Sequence, residues 1–337
     1  MTTTNILKDQ ISKSKNIAII GHIEPDADAL SSMIAIKKII ETYLEENEKK
    51  ISLFAENFTN SELYEPIIKN QEINTAILDS YDIAISVDCA NKERLGKYQE
   101  LFSNSSYSIN IDHHDGNTMF GDANYVYKCS STCEIVYVLI KSLNLDVPSD
   151  ILKLIYSGII TDTQNLTQGS IRVSTYKVIT EIVTKVNDMT ALNAIKDHFL
   201  KNNTINKTIL LQKALHSMNF YLEDRLAIMK LTKADFDETE ASNEDTLGIV
   251  DNAINIKGVF IAMLFIKQDD GSYYISMRSK NGVNISPIAK ALGGGGNETV
   301  GAFSYGDKLS ELKPKLLNLC NSVLQGTEGW DTDTMFD

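Results

Sequence analysis

Cysteine is scarce and scattered in this chain: Cys89, Cys129, Cys133 and Cys320 are the only four in 337 residues. That excludes a disulfide scaffold and fits reduced thiols in a cytoplasmic protein. Cys129 and Cys133 lie four apart, but no second Cys or His pair follows them, which excludes a zinc knuckle. No run of 18 or more apolar residues occurs, so no membrane-spanning helix is expected. The opening MTTTNILKDQISKSKN lacks a basic segment followed by an apolar one and a small-residue cleavage site, and does not read as a secretory signal. Positive charge is in deficit. With 32 Lys and Arg against 45 Asp and Glu, the net charge of −13 argues against long duplex nucleic acid as a partner. Small anionic substrates remain open where metals or local cations reverse the field within a cleft.

What is present is an ordinary globular mixture, 43% apolar and 23% charged, at a length that suits two domains. NIAIIG (16–21), ISLFAE (51–56), YDIAISVD (81–88) and YSINID (107–112) read as strands. Residues 27–45, 131–145 and 149–163 carry helical spacing. Strands alternating with helices predict an α/β fold whose N-terminal domain is an open, mostly parallel sheet flanked by helices. In such sheets ligands gather beyond the carboxyl ends of the strands. From 173 to 217 the pattern is helical and more polar, as in connecting helices. Strands at 217–222, 225–232, 258–267 and 272–279 then surround a helix over 241–256, capped by Ser242 or Asn243. Helices over 284–292 and 308–325 complete a smaller C-terminal α/β domain. The expected organisation is a first domain over 1–190, a helical connector over 191–217, a second domain over 218–326 and an acidic tail over 327–337.

Chemistry concentrates after the predicted strands. In GHIEPDADAL (21–30), His22, Asp26 and Asp28 stand within seven residues, and Pro25 keeps Glu24 out of a helix and stiffens the loop. Alone, this spacing serves a solvated loop with a capping aspartate equally well. Asp88 ends IAISV, where a lone carboxylate is an ordinary helix cap. Asp112, His113 and His114 end YSINID, and three of the chain's five histidines thus sit at strand ends beside aspartates. Asp162 follows an apolar helical run and is flanked by Thr161 and Thr163. Together these residues offer a mixed carboxylate and imidazole shell, which suits Mn²⁺ first, with Mg²⁺ or Co²⁺ also accepted, and disfavours structural zinc. Two such ions can clamp a phosphoryl oxygen and lower the pKa of a water, and Asp88 is the choice for a carboxylate they share.

H-x-x-P-D-x-D, the strand-end Asp88, D-H-H and T-D-T occur in the order of the motifs of the DHH phosphoesterase family, which residues 15–165 resemble. The resemblance implies that His22 and Asp26 bind one divalent ion, that Asp28, His113 and Asp162 bind the other, and that Asp88 bridges them. It implies further that His114 contacts phosphate or assists the leaving group, so that His114 and Asp88 are the catalytic candidates, with Asp112 orienting the histidine pair. SMRSK (276–280) followed by NISPIAKALGGGG (284–296) is similar to the DHH-associated domain of bacterial oligoribonuclease/pAp phosphatases, the nano-RNases. By that likeness Arg278, Ser279, Gly294, Gly295, Gly296 and residue 297 are substrate contacts: the arginine as a fork on a terminal phosphate, the glycine amides facing an anion. SSTCE (130–134) resembles the helix start after the third motif, with Ser131 or Thr132 as cap and phosphate contact.

Two departures from the family pattern stand out. Asn297 occupies the position of a histidine and cannot carry positive charge, and Gln164-Asn165-Leu166 stands where a glycine and an aromatic are common. Tyr125 and Tyr127 alternate about Val126, as in a strand near the site, suited either to stacking on a base or to core packing. The expected activity is hydrolysis of short oligonucleotides from the 3′ end, of 3′-phosphoadenosine 5′-phosphate, or both, by a protein that forms a homodimer by family resemblance. Alternatives are a polyphosphate or pyrophosphate phosphatase, a cyclic or linear dinucleotide phosphodiesterase and, in another class, a catalytically weak nucleotide-binding regulator.

Overall fold

The computed structural model describes residues 3–44, 49–167, 171–201, 203–280, 282–306 and 308–325. The acidic segment 327–337, read above as a tail, lies outside the described residues. The chain divides into two compact units at Asn202/Asn203. Among the described residues no helix is long and apolar enough to cross a membrane.

The first unit runs α1 (Thr3–Lys13), β1 (Asn16–Ile20), α2 (Ala27–Tyr43), β2 (Lys50–Phe54), α3 (Glu65–Ile68), β3 (Ile83–Val87), α4 (Gln99–Asn104), β4 (Tyr107–Asp112), β5 (Ala123–Val126), α5 (Thr132–Ser142), α6 (Ser149–Asp162), α7 (Val173–Val186) and α8 (Met189–Lys201). Its five strands are all parallel, in the order β2-β1-β3-β4-β5. Both faces of the sheet are covered, which is why the strands read as near-continuous apolar runs. Ile17, Ile19, Ile83, Ile85, Ile109 and Ile111 pack with α2, α5 and α6, while Ala18, Ile20 and Ala84 face Phe54, Tyr81, Leu95, Tyr98 and Phe102 on the other side. Cys89 is buried in that second core. The strand order reverses between β1 and β3, the place where an open α/β sheet leaves a crevice beyond its carboxyl ends.

The second unit contains α9 (Ile205–His216), β6 (Asn219–Tyr221), β7 (Leu226–Leu231), α10 (Lys233–Thr239), α11 (Ile249–Ile254), β8 (Ile261–Lys267), β9 (Tyr273–Ser279), α12 (Ser286–Ala291), β10 (Gly295–Gly296), β11 (Val300–Tyr305) and α13 (Leu309–Gln325). Its sheet runs β10-β11-β9-β8-β7-β6 and is antiparallel except for the β7–β8 pair. Helices α12 and α13 cover one face, α9 and α11 the other.

Two expectations change. The helical connector expected over 191–217 is not a separate element: Leu192 on α8 is buried in the first unit's core, and Leu210 and Ala214 on α9 are buried in the second unit's core. The single helix expected over 241–256 breaks at Gly248, whose φ of +81° separates a 3₁₀ turn at Asn243–Thr246, with Ser242 as its cap, from α11.

Candidate metal centre

The loops after β1, β3 and β4 and the end of α6 bring the polar residues of the first unit to one rim of its sheet. After β1, Glu24 takes φ +55°, a left-handed turn; Pro25 keeps it from the right-handed helical region, and the loop closes on α2. Asp26 caps α2 through Oδ1, which accepts the amides of Asp28 and Ala29 at 3.0 Å, while its Oδ2 lies 3.9 Å from His22 Nε2. The capping reading and the ligand reading of Asp26 therefore fall on different oxygens.

Asp88, at φ +60° just past β3, is almost completely buried. Its Oδ2 is 3.6 Å from His22 Nε2 and its Oδ1 is 3.5 Å from His113 Nε2, so one carboxylate faces two imidazoles from opposite ends. His113 Nε2 is also 3.6 Å from Asp162 Oδ2. Asp28, on the first turn of α2, accepts the amides of Thr132 and Cys133 at 2.7 and 3.0 Å at the start of α5. Gly158 on α6 makes room for this: a Cβ there would fall 2.5 Å from Asp28 Oδ1 and 2.4 Å from Cys133 Sγ. Donor atoms converge within 4.8 Å in three overlapping groups: His22, Asp26 and Asp88; Asp88, His113 and His114; Asp28, His113 and Asp162.

The electrostatics of this cluster are those of a cation site. Burial opposes a charged ring at His22, yet Asp26 and Asp88 push its pKa to about 10. Burial together with Asp88 and Asp162 lifts Asp28 well above the carboxylate range. Asp162 rises to about 7, through its partial burial and the charges of Asp26 and Asp88, against the pull of His113. Asp88 is held low, against burial, by His22, His114 and His113. The four carboxylates are too crowded to ionise together without help, so protons occupy sites that a divalent cation could take instead. Cys133 lies against Asp28, and burial and that carboxylate raise its thiol pKa; none of the three donor groups includes its sulfur.

The neighbouring polar residues divide into several roles. Asp112 Oδ1 is 2.7 Å from His114 Nδ1, and the His114 side chain is 45% exposed. Asn117, which sequence reasoning missed, donates to Asp112 Oδ2 at 2.6 Å and to the Cys89 carbonyl at 3.0 Å. Its own Oδ1 accepts from Asn110 Nδ2 and from the Met119 amide. Arg94, also missed, places Nη2 2.9 Å from His22 Nδ1. An arginine six residues past Asp88 carries no motif signal that would single it out.

Ser131 and Thr132, expected to touch phosphate, are fully buried. Ser131 Oγ caps α5 by accepting the Glu134 amide, and Thr132 Oγ1 donates to Asp88 Oδ1 at 2.8 Å. Both side chains are enclosed by the protein, which is at odds with the phosphate contact expected of them. Tyr125 is buried on β5, whereas Tyr127 lies just past the strand's end and is 54% exposed, so the two do not share the face that strand alternation would give them.

In the second unit Ser279 is likewise corrected: it is buried, and its hydroxyl donates to the carbonyl oxygens of Val283 and Glu298. Arg278 lies with Nε 3.1 Å from Asp251 Oδ1 and Nη1 donating to the Met277 carbonyl, which leaves part of its fork outside these contacts. The glycine run is a tight hairpin rather than a loose loop. A Cβ at Gly294 would fall 2.0 Å from the Ala302 carbonyl, and Gly296 has φ +141°. Gly295 and Gly296 pair with β11 as the exposed edge strand. Asn297 Oδ1 accepts the amides of Thr299 and Val300 at 2.9 and 2.8 Å, closing the turn of that hairpin. This asparagine therefore has a local structural role that a histidine does not reproduce.

Comparison with known proteins agrees with this architecture. Residues 16–159 match the DHH family, N-terminal domain, and residues 224–326 match the DHHA1 domain. A probable bifunctional oligoribonuclease and PAP phosphatase NrnA of Streptococcus mutans is 26% identical over 314 residues, which is 90% of this chain and 94% of that protein. The cyclic-di-AMP phosphodiesterase GdpP of Bacillus subtilis is 26% identical over 345 residues; the match takes in 96% of this chain but spans only 50% of the relative. An exopolyphosphatase-related protein from Bacteroides fragilis shares the fold, with a TM-score of 0.82 at 19% identity over 96% of each chain. With its DHH domain followed by a DHHA1 domain across most of its length, the chain belongs to the DHH family of hydrolytic, divalent-metal-dependent phosphoesterases.

Proposed function

We propose that this chain hydrolyses phosphate esters in very short nucleotides, releasing residues from the 3′ end of di- to pentanucleotides and phosphate from 3′-phosphoadenosine 5′-phosphate, with two Mn²⁺ ions as cofactor. The observation that carries the metal reading is the position of Asp88, one oxygen toward His22 and the other toward His113. In this reading His22 and Asp26 would hold one ion, Asp28, His113 and Asp162 would hold the second, and Asp88 would serve both. Oxygen and imidazole donors without thiolate favour Mn²⁺ over zinc. Bound there, divalent ions supply Lewis acidity for a phosphoryl oxygen and a lowered pKa for an attacking water.

The remaining work falls to side chains. Thr132 fixes the rotamer of Asp88 through its hydroxyl. Asp112 holds His114 so that its partly exposed ring can donate a hydrogen bond to the leaving oxygen as charge develops there. In the second unit the uncommitted part of the Arg278 fork, the open edge of Gly295 and Gly296 and the side-chain Nδ2 of Asn297 are the proposed contacts for a terminal phosphate, the backbone amides of Gly294 and Asn297 being spent on the carbonyls of Ala289 and Val300. The streptococcal relative, matched nearly end to end, supports the nucleotide reading.

Assays in parallel of pApA, pAp, polyphosphate and cyclic-di-AMP with Mn²⁺ test it. Turnover of pAp or pApA that falls by about four orders of magnitude in Asp88→Ala is expected, with an unchanged circular dichroism spectrum. Preferential turnover of cyclic-di-AMP would move the substrate toward that of the relatives of which this chain spans half. Equal rates in wild type and variant would refute the centre.

A further inference from the structure

Arg94 is a cation at the centre to which the mechanism above gives no task. Its backbone is fastened to the loop that carries His22: the Arg94 carbonyl accepts the Ile23 amide at 2.9 Å, and the Arg94 amide donates to Asn91 Oδ1 at 3.1 Å. Its side chain is exposed and reaches His22 Nδ1 at 2.9 Å. The carbonyl oxygen of Ile23 lies 2.8 Å from that same nitrogen. One ring nitrogen cannot serve both. A protonated Nδ1 donates to the carbonyl and has no lone pair for a guanidinium N–H; an unprotonated one accepts from Arg94 and leaves the carbonyl without its donor. A neutral histidine that presents Nε2 to a cation keeps its proton on Nδ1, and that choice selects the carbonyl. The guanidinium, exposed beside a ring whose other nitrogen faces Asp26 and Asp88, is then free of His22. Among the described residues no carboxylate lies in ion-pair contact with Arg94. Arg278, by contrast, is tied to Asp251, and Lys280 donates to the carbonyls of Ile254 and Ile256.

We propose that Arg94 is the phosphate-binding arginine of the metal centre, forking onto the non-bridging oxygens of the substrate phosphate on the His22 side. This inference rests on the metal-centre reading given above and adds to it a specificity for phosphate that the ligand carboxylates cannot supply, since they repel an anion. A guanidinium fork matches two phosphoryl oxygens in a way that an ammonium does not.

The test compares wild type, Arg94→Ala and Arg94→Lys, with Mn²⁺ affinity and inorganic phosphate binding to the Mn²⁺-loaded protein measured by calorimetry, beside KM and kcat for pAp. Arg94→Ala is expected to weaken phosphate binding and raise KM about tenfold or more, with Mn²⁺ affinity within about twofold of wild type. Arg94→Lys recovers only part of the loss, and it carries the test should the alanine variant fail to fold. Weaker Mn²⁺ binding with unchanged phosphate affinity would overturn the proposal, making Arg94 a support for His22. Full recovery by lysine, or phosphate binding indifferent to both changes, would overturn it too. If wild type binds Mn²⁺ and phosphate yet turns over no nucleotide, the proposed substrate fails while the phosphate measurement still decides Arg94.

Discussion

Asn117 joins the loops that follow β3 and β4, because its amide reaches both the Cys89 carbonyl next to Asp88 and the Asp112 carboxylate beneath His114. Removing it frees the loop that sets His114 and leaves a fully buried Asp112 oxygen without a donor. Asn117→Ala is therefore expected to lower kcat by ~10- to 100-fold while the far-UV spectrum is retained, since partners that orient functional groups carry effects of that size. Steady-state kinetics on pAp check it; an unchanged kcat would mean that the orientation of His114 does not limit the reaction. Six proposed ligands could be singled out in the sequence because each is a carboxylate or imidazole that ends an apolar run or, as with Asp26 and Asp28, stands within seven residues of one that does. Asn117 and Arg94 could not, because a polar residue in a surface loop has no pattern of its own. Ser131, Thr132 and Ser279 show the opposite failure: a hydroxyl near a motif looks like a substrate contact until burial shows where its hydrogen bond goes.

At the scale of elements, the start of α5 is the piece on which the centre is mounted. Ser131 caps it, its first amides hold Asp28, and the Glu134 carboxylate accepts from the Ser130 amide, the Ser130 hydroxyl and the Thr175 hydroxyl of α7. Glu134→Ala leaves these buried donors unpaired. A destabilisation of about 2 to 3 kcal/mol is expected, read as a shift of the urea midpoint; a shift within error would mean that the donors find other partners. The principal helices and most strands were legible from period and length, whereas β11 was not anticipated: Gly301, Ala302 and Ser304 dilute the strand signal of VGAFSY. The segment after Asp162 is another local exception. Gln164, Asn165 and Leu166 have φ of +46°, +58° and +62°, a left-handed run without a glycine. The absent glycine was visible in the sequence; that the backbone nevertheless takes the glycine-like conformation was not.

For the whole molecule, the division into two units makes metal binding and stability separable. All three donor groups lie in the first unit, where buried carboxylates face one another. A cation that binds the folded unit alone stabilises it by ~2.7 kcal/mol at a hundredfold excess over Kd. Calorimetric scans with and without EDTA are expected to show the first unit's transition moving down by several degrees, with the second unit's in place. Asp88→Ala should be insensitive to the chelator. A chelator that moves neither transition would show that no ion stabilises the fold.

What the sequence by itself determined is the order of the main strands and helices, the alternation that makes both halves α/β and the identity of the carboxylates and imidazoles. Period, turn chemistry and residue type are local properties, written along the chain. Tertiary structure alone decided which of these groups meet, since that depends on the parallel register that aligns the ends of β1, β3 and β4 and on how closely α6 approaches α2 at Gly158. It also decided which polar atoms are spent on the protein itself. A side chain's sequence position says what it can donate or accept, but only its neighbours say what remains for a ligand.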